Sequence, residues 1–280
     1  MSEIGYLRRK WLNWVMSVLS SAAAGLAILV LALILGYTLA HGIAFLNLDF
    51  LTQASGPVGE AGGGMRNEIF GTLILIALAS TIALPVGLMA GIFLSEFASP
   101  RMAYAVRFMA DILAGVPSIV VGVFAYAIVV RPMHSYSALS AGVALAIIMI
   151  PVVARTAEES LRLVPNSMRE AALALGITRS RAVVGVIVPG ALTGIVTGVM
   201  LAIARIAGET APLIFTALGS AFGLQGLTRP IGAIPLQIYR YAMSPYPDWQ
   251  QQAWAGAFLM TLLILSISIL VRRLSNRRQT

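Results

Sequence analysis

An arginine and a glutamate interrupt an otherwise apolar segment of the chain, one helical turn apart, and both could act on a permeating anion. They are Arg205 and Glu209, followed directly by Thr210, within the apolar run at about 186–217. Ionisable side chains inside a bilayer cost about 3 kcal/mol each on insertion scales, so they face protein or water and mark functional sites. Arginine suits an oxyanion because it stays charged and presents a planar fork of donors. The segment therefore predicts an oxyanion site in which Glu209 pairs with Arg205 when no anion is bound.

Helical geometry gives this pair a defined face. At about 100° per residue, one narrow stripe of the predicted helix holds small or polar residues, and the opposite stripe holds bulky apolar ones. The first stripe comprises Gly194, Gly198, Arg205, Glu209, Pro212 and Thr216, and the second comprises Val196, Met200, Ile203 and Ile214. The spacing leaves a second interpretation open, in which Arg205 and Glu209 are a structural ion pair that joins two helices and never contacts a substrate.

A charged stretch at 158–185 lies between two apolar runs and is suited to contact with water. Ser167, followed three residues later by Glu170, predicts a capping box that starts a helix at Ser167. Gly176 predicts the end of that helix, because glycine adopts the left-handed backbone conformation at low steric cost. The small apolar patch that this helix would offer to a partner protein consists of Ala171, Ala172 and Leu175.

The same stretch has a simpler interpretation. Thr178 predicts the start of a second short helix, and that helix carries Arg179 and Arg181. With Arg169, these arginines would suit anionic lipid head groups if the loop lay on the membrane surface. The residue chemistry alone leaves a protein partner and a lipid surface as alternatives.

The composition is that of an integral membrane protein. Of 280 residues, 59% are hydrophobic and 11% are charged, and several apolar runs reach the roughly 20 residues that a helix needs to cross a bilayer. We predict a single all-α transmembrane domain over residues 1–280. Its six spans are predicted at about 15–40, 69–95, 108–130, 139–157, 186–217 and 252–271. The first span follows Arg8-Arg9-Lys10 like a signal peptide, but its length and the lack of a small-residue cleavage pattern favour a retained anchor.

The basic residues predict the orientation of these spans. Fourteen of the nineteen fall on one side: Arg8, Arg9, Lys10, Arg101, Arg107, Arg155, Arg162, Arg169, Arg179, Arg181, Arg272, Arg273, Arg277 and Arg278. The opposite loops hold Arg66, Arg131, Arg229 and Arg240. Because cytoplasmic loops carry the excess of arginine and lysine, both termini and the 158–185 loop are predicted to be cytoplasmic.

Missing residue types exclude several kinds of chemistry. The chain has no cysteine, which excludes disulfides and thiolate ligands, and we predict no metal site. Its only lysine is Lys10, so it lacks the lysine that a P-loop requires and any ATPase would be another polypeptide. A membrane-embedded enzyme stays an alternative, although the G-x-S-x-G and H-E-x-x-H motifs are absent. A scaffold without transport activity would leave the polar stripe around Arg205 unexplained.

The charged loop resembles a known signature. Glu170-Ala171-Ala172, three residues, Gly176, nine residues and then Val186-x-Val188-Pro189 resemble the EAA motif of permease subunits in binding-protein-dependent ABC importers. In that family the motif helix docks into a cleft of the cytoplasmic ATPase and transmits its movements. The resemblance implies a permease core at about 69–271, with 158–185 as its cytoplasmic EAA loop. It implies ATPase coupling by Glu170, Ala171, Ala172 and Gly176.

The fifth span has a narrower resemblance. The run Arg205-Ile-Ala-Gly208-Glu209-Thr210-Ala211-Pro212 is similar to the fifth-span motif of the phosphate-specific ABC permease, A-type subunit, and the segments 62–72 and 114–122 also match its pattern. The resemblance implies a non-enzymatic subunit of the cytoplasmic (inner) membrane that imports phosphate, with Arg205, Glu209 and Thr210 on its path. Among transporters, a permease for sulfate or molybdate is the alternative.

The same resemblance implies the remaining assembly. The expected partners are a C-type phosphate permease subunit, a homodimeric cytoplasmic ATPase and an extracytoplasmic phosphate-binding protein, besides membrane lipid and without nucleic acid. We expect no cofactor on this chain, with ATP and Mg²⁺ bound by the ATPase. One further pair, Arg107 and Asp111, has the i, i+4 spacing of a local salt bridge at the start of the third span.

Overall fold

The computed structural model describes residues 3–57 and 62–276, and there the protein consists of helices and their connections. The only β pairing in the described residues is one isolated bridge between Leu218 and Ile231. The helices are α1 (Glu3–Gly42), α2 (Leu48–Thr52), α3 (Arg66–Glu96), α4 (Pro100–Gly115), α5 (Ser118–Ala125), α6 (Arg131–Met133), α7 (Ala138–Arg162), α8 (Asn166–Ala174), α9 (Arg179–Ala182), α10 (Val188–Ala207), α11 (Ala211–Thr216), α12 (Ile234–Ala242) and α13 (Pro247–Asn276). The predicted all-α class is confirmed.

Within the described residues, five helical stretches are long and apolar enough to cross a membrane. They are Leu7–Phe45, Arg66–Glu96, Ala138–Arg162, Arg179–Ala207 and Pro247–Ile269. The fourth includes a five-residue π-helical turn, Val183–Ile187, that joins α9 to α10. A sixth span exists only if α4 and the helical stretch Ser118–Met133 are counted as one broken helix.

The predicted third span, 108–130, is therefore not one straight helix. The helices Pro100–Gly115 and Ser118–Met133 meet at an angle of 98°. Between them Val116 has extended backbone angles (φ −66°, ψ 131°), as does Pro117 (φ −56°, ψ 133°). Proline disfavours helical geometry in the residue before it, so the Val116–Pro117 sequence ends α4 and turns the chain.

The centre of the bundle is the packing of α3 on α7. Two glycines of α3 bring the helix backbones together: a Cβ atom on Gly87 would lie 2.8 Å from the Cβ of Val153, and one on Gly91 would lie 2.7 Å from the carbonyl oxygen of Ala154. Fully buried side chains surround this contact: Leu75, Ala79, Ala83, Leu145, Met149 and Val153. Close-packed interiors transmit displacements because they have few voids to absorb them, so we expect α3 and α7 to move together.

Helix α10 packs against the other side of α7, again through small residues. A Cβ atom on Gly194 would lie 2.5 Å from the Oγ of Ser160, and Gly198 is buried directly against Thr156. The small half of the predicted stripe therefore contacts α7. Arg205, two turns further along α10, is exposed.

The predicted fifth span, 186–217, is interrupted near its end. Helix α10 ends at Ala207, Gly208 follows with φ −90° and ψ 0°, and α11 begins only at Ala211. Pro212 lies in the first turn of α11, where its missing N–H group is tolerated. A single helical stripe from Gly194 to Thr216 is therefore wrong beyond Gly208, because the helix axis does not continue.

The first and last long helices lie at the edge of the bundle. The apolar stretch of α1 has no buried residues, and α1 contacts α13 where Gly42 lies against the backbone of Trp254.

Backbone hydrogen bonds fix the start of α7. The N–H groups of Ser137, Ala138 and Leu139 donate to the carbonyl groups of Thr216, Arg229 and Leu227, respectively. The loop after α11 is thereby fixed to the start of α7.

Candidate functional site

The helix break after α10 separates the two charged residues predicted to pair. In residues 3–57 and 62–276, the ion pairs within 4.0 Å include neither Arg205 nor Glu209. Arg205 is exposed on α10, and Glu209 is half-buried in the break. The i, i+4 spacing required a continuous helix, and Gly208 ends it. The predicted ion pair is absent from this conformation, so the donors of Arg205 are available to another ligand.

The second interrupted helix packs directly on the first. A Cβ atom on Gly122 of α5 would lie 2.6 Å from the Cα of Pro212 in α11, so the two backbones touch. The buried Thr216 fixes α11 further, since its hydroxyl donates to Pro212 and its carbonyl accepts from Ser140 at 2.9 Å. Thr210 lies in the break itself with φ −108° and ψ −45°. The bend after α4 and the break after α10 thus belong to one packed region.

The 158–185 loop forms the predicted short helix but starts it differently. Helix α8 begins at Asn166 with Pro165 at the N-cap position and no side-chain cap. The predicted capping box of Ser167 and Glu170 is therefore wrong, because the rigid φ of Pro165 (−57°) already sets the entry to the helix. Glu170 is exposed.

The end of α8 is as predicted. Gly176 has φ +76°, and its N–H donates to the carbonyl of Leu173. The next residue, Ile177, donates to the carbonyl of Ala172. These two bonds form a Schellman motif, which satisfies the last carbonyls of a helix when the residue after its cap is left-handed. Thr178 is the N-cap residue of α9, also as predicted, although its side chain makes no capping bond.

The apolar surface of α8 differs in composition from the predicted patch. Ala172 faces the protein interior and is 4% exposed, whereas Ala171 is exposed. Large apolar side chains project outward beside it, with Leu163 84% and Leu175 80% exposed. Leu173 and Met168 are exposed as well. Solvated leucines at this density on a short loop form a surface suited to a partner protein.

An ion pair missed by sequence reasoning fixes α8 to the end of α3. The Nη2 of Arg169 lies 2.9 Å from the Oε1 of Glu96, a carboxylate that is buried. Arg169 also donates to the carbonyls of Leu161 (2.7 Å) and Val164 (2.6 Å), at the end of α7. The only sequence signal was a lone glutamate at the end of the predicted span 69–95. Nothing local connects it to an arginine 73 positions later.

A second arginine of the loop reaches the same place. Arg179 donates from Nη2 to the backbone carbonyl of Glu96, and its guanidinium carbon lies 5.3 Å from the centre of the Phe97 ring. Guanidinium groups bind aromatic faces at such distances. The loop is therefore attached to the end of α3 on both sides of Gly176.

Arginines from two helices surround a second buried carboxylate. The Oε1 of Glu158, which is 1% exposed, lies 2.6 Å from the Nη2 of Arg107 and 3.2 Å from the Nε of Arg162. Asp111 instead pairs with Arg155 at 3.4 Å. The predicted local bridge between Arg107 and Asp111 is wrong, because both side chains turn toward α7. In the described residues, no group of three or more His, Asp or Glu side chains is placed to hold a metal ion.

The described residues form five apolar spans, or six if the bent pair is counted as one, and two interrupted helices pack against each other. They include Arg205, which has no ion-pair partner among them, and a loop whose short helix α8 is flanked by the exposed Leu163 and Leu175. These features are typical of a polytopic membrane permease. A family model, described as "Binding-protein-dependent transport system inner membrane component", matches residues 83–280. The chain belongs to this family. It is therefore a multi-pass protein of the inner membrane. The predicted core at about 69–271 falls mostly within the matched residues, although its limits stay a prediction.

The chain is similar to phosphate transport permeases of several organisms. It is 45% identical over 265 residues to the phosphate transport system permease protein PstA of Yersinia pestis, covering 94% of this chain and 90% of the relative. The corresponding protein of Pasteurella multocida is 43% identical and covers 97% of each chain. A probable phosphate transport system permease protein PstA of Methanocaldococcus jannaschii is 38% identical over 88% of each.

Solved structures support the fold. A chain of a bacterial ABC transporter for import of the acidic polysaccharide alginate covers 98% of both chains with a TM-score of 0.65 and 15% identity. An inward-facing MetNI methionine ABC transporter matches with a TM-score of 0.64 and 21% identity, over 76% of this chain and 96% of that one. At these identities the likeness concerns the fold alone.

Proposed function

We propose that the chain is the transmembrane permease subunit of an ATP-driven importer and that it carries inorganic phosphate across the cytoplasmic membrane. One observation supports this most: Arg205 is exposed without an ion-pair partner among the described residues, at a helix break, in a chain 45% identical to a phosphate transport permease. An unpaired arginine within an apolar span requires a ligand, water or a partner protein, because its charge is not tolerated in hydrocarbon.

The proposed assembly is the one that the resemblance to phosphate-specific ABC permeases implies. The expected partners are a C-type permease subunit, a homodimeric cytoplasmic ATPase and an extracytoplasmic phosphate-binding protein, with ATP and Mg²⁺ held by the ATPase and no cofactor on this chain. The end of the bundle that carries Glu96, Glu158 and their arginines faces the cytoplasm in this proposal. The excess of basic residues on that side supports the orientation, with both termini cytoplasmic.

Coupling to the ATPase is assigned to the segment from Glu170 to Gly176. The exposed Glu170 and Ala171, together with the outward side chains of Leu163 and Leu175, would enter a cleft of the ATPase. Ala172, which is buried, would pack α8 against the transmembrane helices. A loop lying on a lipid surface would direct its arginines toward the lipid head groups, whereas Arg169 and Arg179 both bind Glu96 and Arg181 is left exposed.

Phosphate release limits how tightly the site binds its anion. Arg205 would attract the anion through charge-assisted hydrogen bonds. Glu209 and Thr210, four and five residues beyond it in the break, would compete for its donors or share the anion. Because a lone arginine in a dry channel would retain a divalent anion, the nearby carboxylate weakens the site enough for passage. Residues 208–210 lie outside regular helix, so their backbone can change conformation at little cost in free energy. This freedom would allow Glu209 and the anion to exchange at Arg205.

A competition experiment tests the cargo. The complex of both permeases, ATPase and binding protein is reconstituted in vesicles, and ATP-dependent uptake of labelled phosphate is measured with excess unlabelled phosphate, sulfate or molybdate. Only unlabelled phosphate should suppress the label, because the binding protein and Arg205 select the same anion. Equal suppression by sulfate or molybdate would instead assign the chain to a permease for another oxyanion.

A further inference from the structure

A buried joint connects the coupling loop to the transmembrane helices. The joint consists of Glu96 at the end of α3, Arg169 in the middle of α8 and Arg179 in α9. Glu96 and Arg169 have side chains that are 4% and 20% exposed, which sets this pair apart from a solvated surface bridge. Two nitrogens of Arg169 contact the carboxylate, Nη2 at 2.9 Å and Nε at 3.4 Å. Planar two-point contacts of this kind fix orientation as well as distance.

The same guanidinium closes the end of α7. It donates to the carbonyl of Leu161 in the last turn of α7 and to the carbonyl of Val164 just after that helix. Arg169 therefore touches three elements at once: its own helix α8, the last turn of α7 and the carboxylate of α3. A displacement of α8 must either carry the ends of α3 and α7 with it or break all of these bonds.

The packing beyond the joint leads toward Arg205. Gly87 and Gly91 hold α3 directly against α7, and Gly198 holds α10 against Thr156 of α7. These contacts are too close for the helices to slide independently, since interiors of this density yield little. Movement of the α3–α7 pair would therefore reach α10, whose last turn carries Arg205.

We propose that Glu96 and Arg169 are positioning residues that transmit movement of α8 to the α3–α7 helix pair during transport. This inference depends on the proposed docking of α8 to the ATPase. It adds the route by which that docking would alter the membrane region. Arg179 assists by holding the backbone end of α3 to α9.

The test compares transport with ATP hydrolysis in the assembled complex. Glu96→Gln keeps the shape of the side chain and removes its charge. We expect the ATPase to co-purify and hydrolyse ATP, while phosphate transported per ATP falls about tenfold, a size typical of coupling between sites. Glu96→Asp, which keeps the charge, should recover part of that ratio. An unchanged ratio in assembled Glu96→Gln complexes would overturn the inference.

The chain offers a matched control. Glu159 is also a carboxylate near the end of α7 that pairs with an arginine, at 3.8 Å, but its side chain is 64% exposed. Exposed pairs of this kind contribute little, so Glu159→Gln should leave the ratio of transport to hydrolysis unchanged. An equal loss in both variants would show a general effect of charge at this end and would overturn the specific role of Glu96.

A distance measurement keeps the inference testable if Glu96→Gln does not assemble. The chain lacks cysteine, so spin labels can be attached through Ser167→Cys in α8, outside the segment assigned to docking, and Met89→Cys in α3, both at exposed positions. The label separation should stay constant between nucleotide-free and nucleotide-bound complexes, because the joint moves α8 and α3 together. A separation that changes with nucleotide would contradict the joint. The docking proposal is tested separately with Leu175→Trp. If α8 does not dock to the ATPase, this variant will co-purify with the ATPase as the unmodified chain does.

Discussion

Two arginines of this chain have opposite surroundings. Arg169 lies in the connecting loop, bound to a buried carboxylate and two helix-end carbonyls. Arg205 lies in an apolar helix, exposed and without an ion-pair partner in the described part of the chain. A fully paired guanidinium holds elements together, whereas an unpaired one at the edge of a helix break keeps its donors for a ligand. The contrast separates the mechanical part of the protein from the part proposed to contact the cargo.

The largest effect on stability should come from breaking a paired cluster. Glu158→Gln would leave Arg107 and Arg162 around a neutral amide in a buried position. Removing one partner of a fully buried ion pair costs about 3–5 kcal/mol, and the cost here is smaller because Arg107 and Arg162 are 24% and 54% exposed and regain contact with water. We expect the unfolding temperature of the purified subunit in detergent to fall by several degrees. Glu159→Gln serves as the control, and an equally small change in both variants would show that the cluster around Glu158 does not stabilise the fold.

A smaller effect is expected at the end of α8. Gly176 has φ +76°, and a non-glycine residue there costs about 1–2 kcal/mol from contact between its Cβ and the backbone. Gly176→Ala should therefore loosen the Schellman motif and reduce ATPase co-purification. Gly185→Ala is the matched control, because both glycines have open space around them and only Gly176 has a positive φ. Equal behaviour of the two variants would mean that the left-handed turn is not required for ATPase binding.

The smallest effect on stability should come from Arg205. Its side chain makes no ion pair among the described residues, and substitutions at positions without such contacts change the free energy of unfolding by about 0.5 kcal/mol or less. We expect Arg205→Gln to unfold at nearly the same temperature as the unmodified subunit. A loss as large as that of Glu158→Gln would mean that Arg205 is a structural residue, and the contrast between the two arginines would fail.

Local signals in the sequence predicted the features that depend on local backbone chemistry. The end of α8 at Gly176 was predicted because a glycine in that position permits one specific turn. The periodicity of 186–217 predicted a continuous helix. The helix is broken near Gly208 and Pro212, because periodicity alone does not include the effect of glycine and proline on the local backbone. The sequence also contained the Val116–Pro117 pair at which the predicted third span bends.

Pairings between distant residues could not be predicted in the same way. Arg107 and Asp111 had the spacing of a local bridge, yet they bind residues of α7 that lie 51 and 44 positions away, respectively. Ser167 and Glu170 matched a capping box, but tertiary contacts of Arg169 and the rigid Pro165 determine the geometry of that turn. A single sequence contains both residues of each pair, but it does not show which helices pack against each other.

The central claim is that Arg205 acts on the anion and does not hold the fold together. Its most direct test is ATP-driven phosphate uptake by vesicles containing the complete complex with Arg205→Gln, beside Arg101→Gln, an exposed arginine at the start of α4. We predict that Arg205→Gln abolishes uptake while its complex assembles and the ATPase remains bound, and that Arg101→Gln transports normally. Normal phosphate uptake by assembled Arg205→Gln complexes would contradict the account.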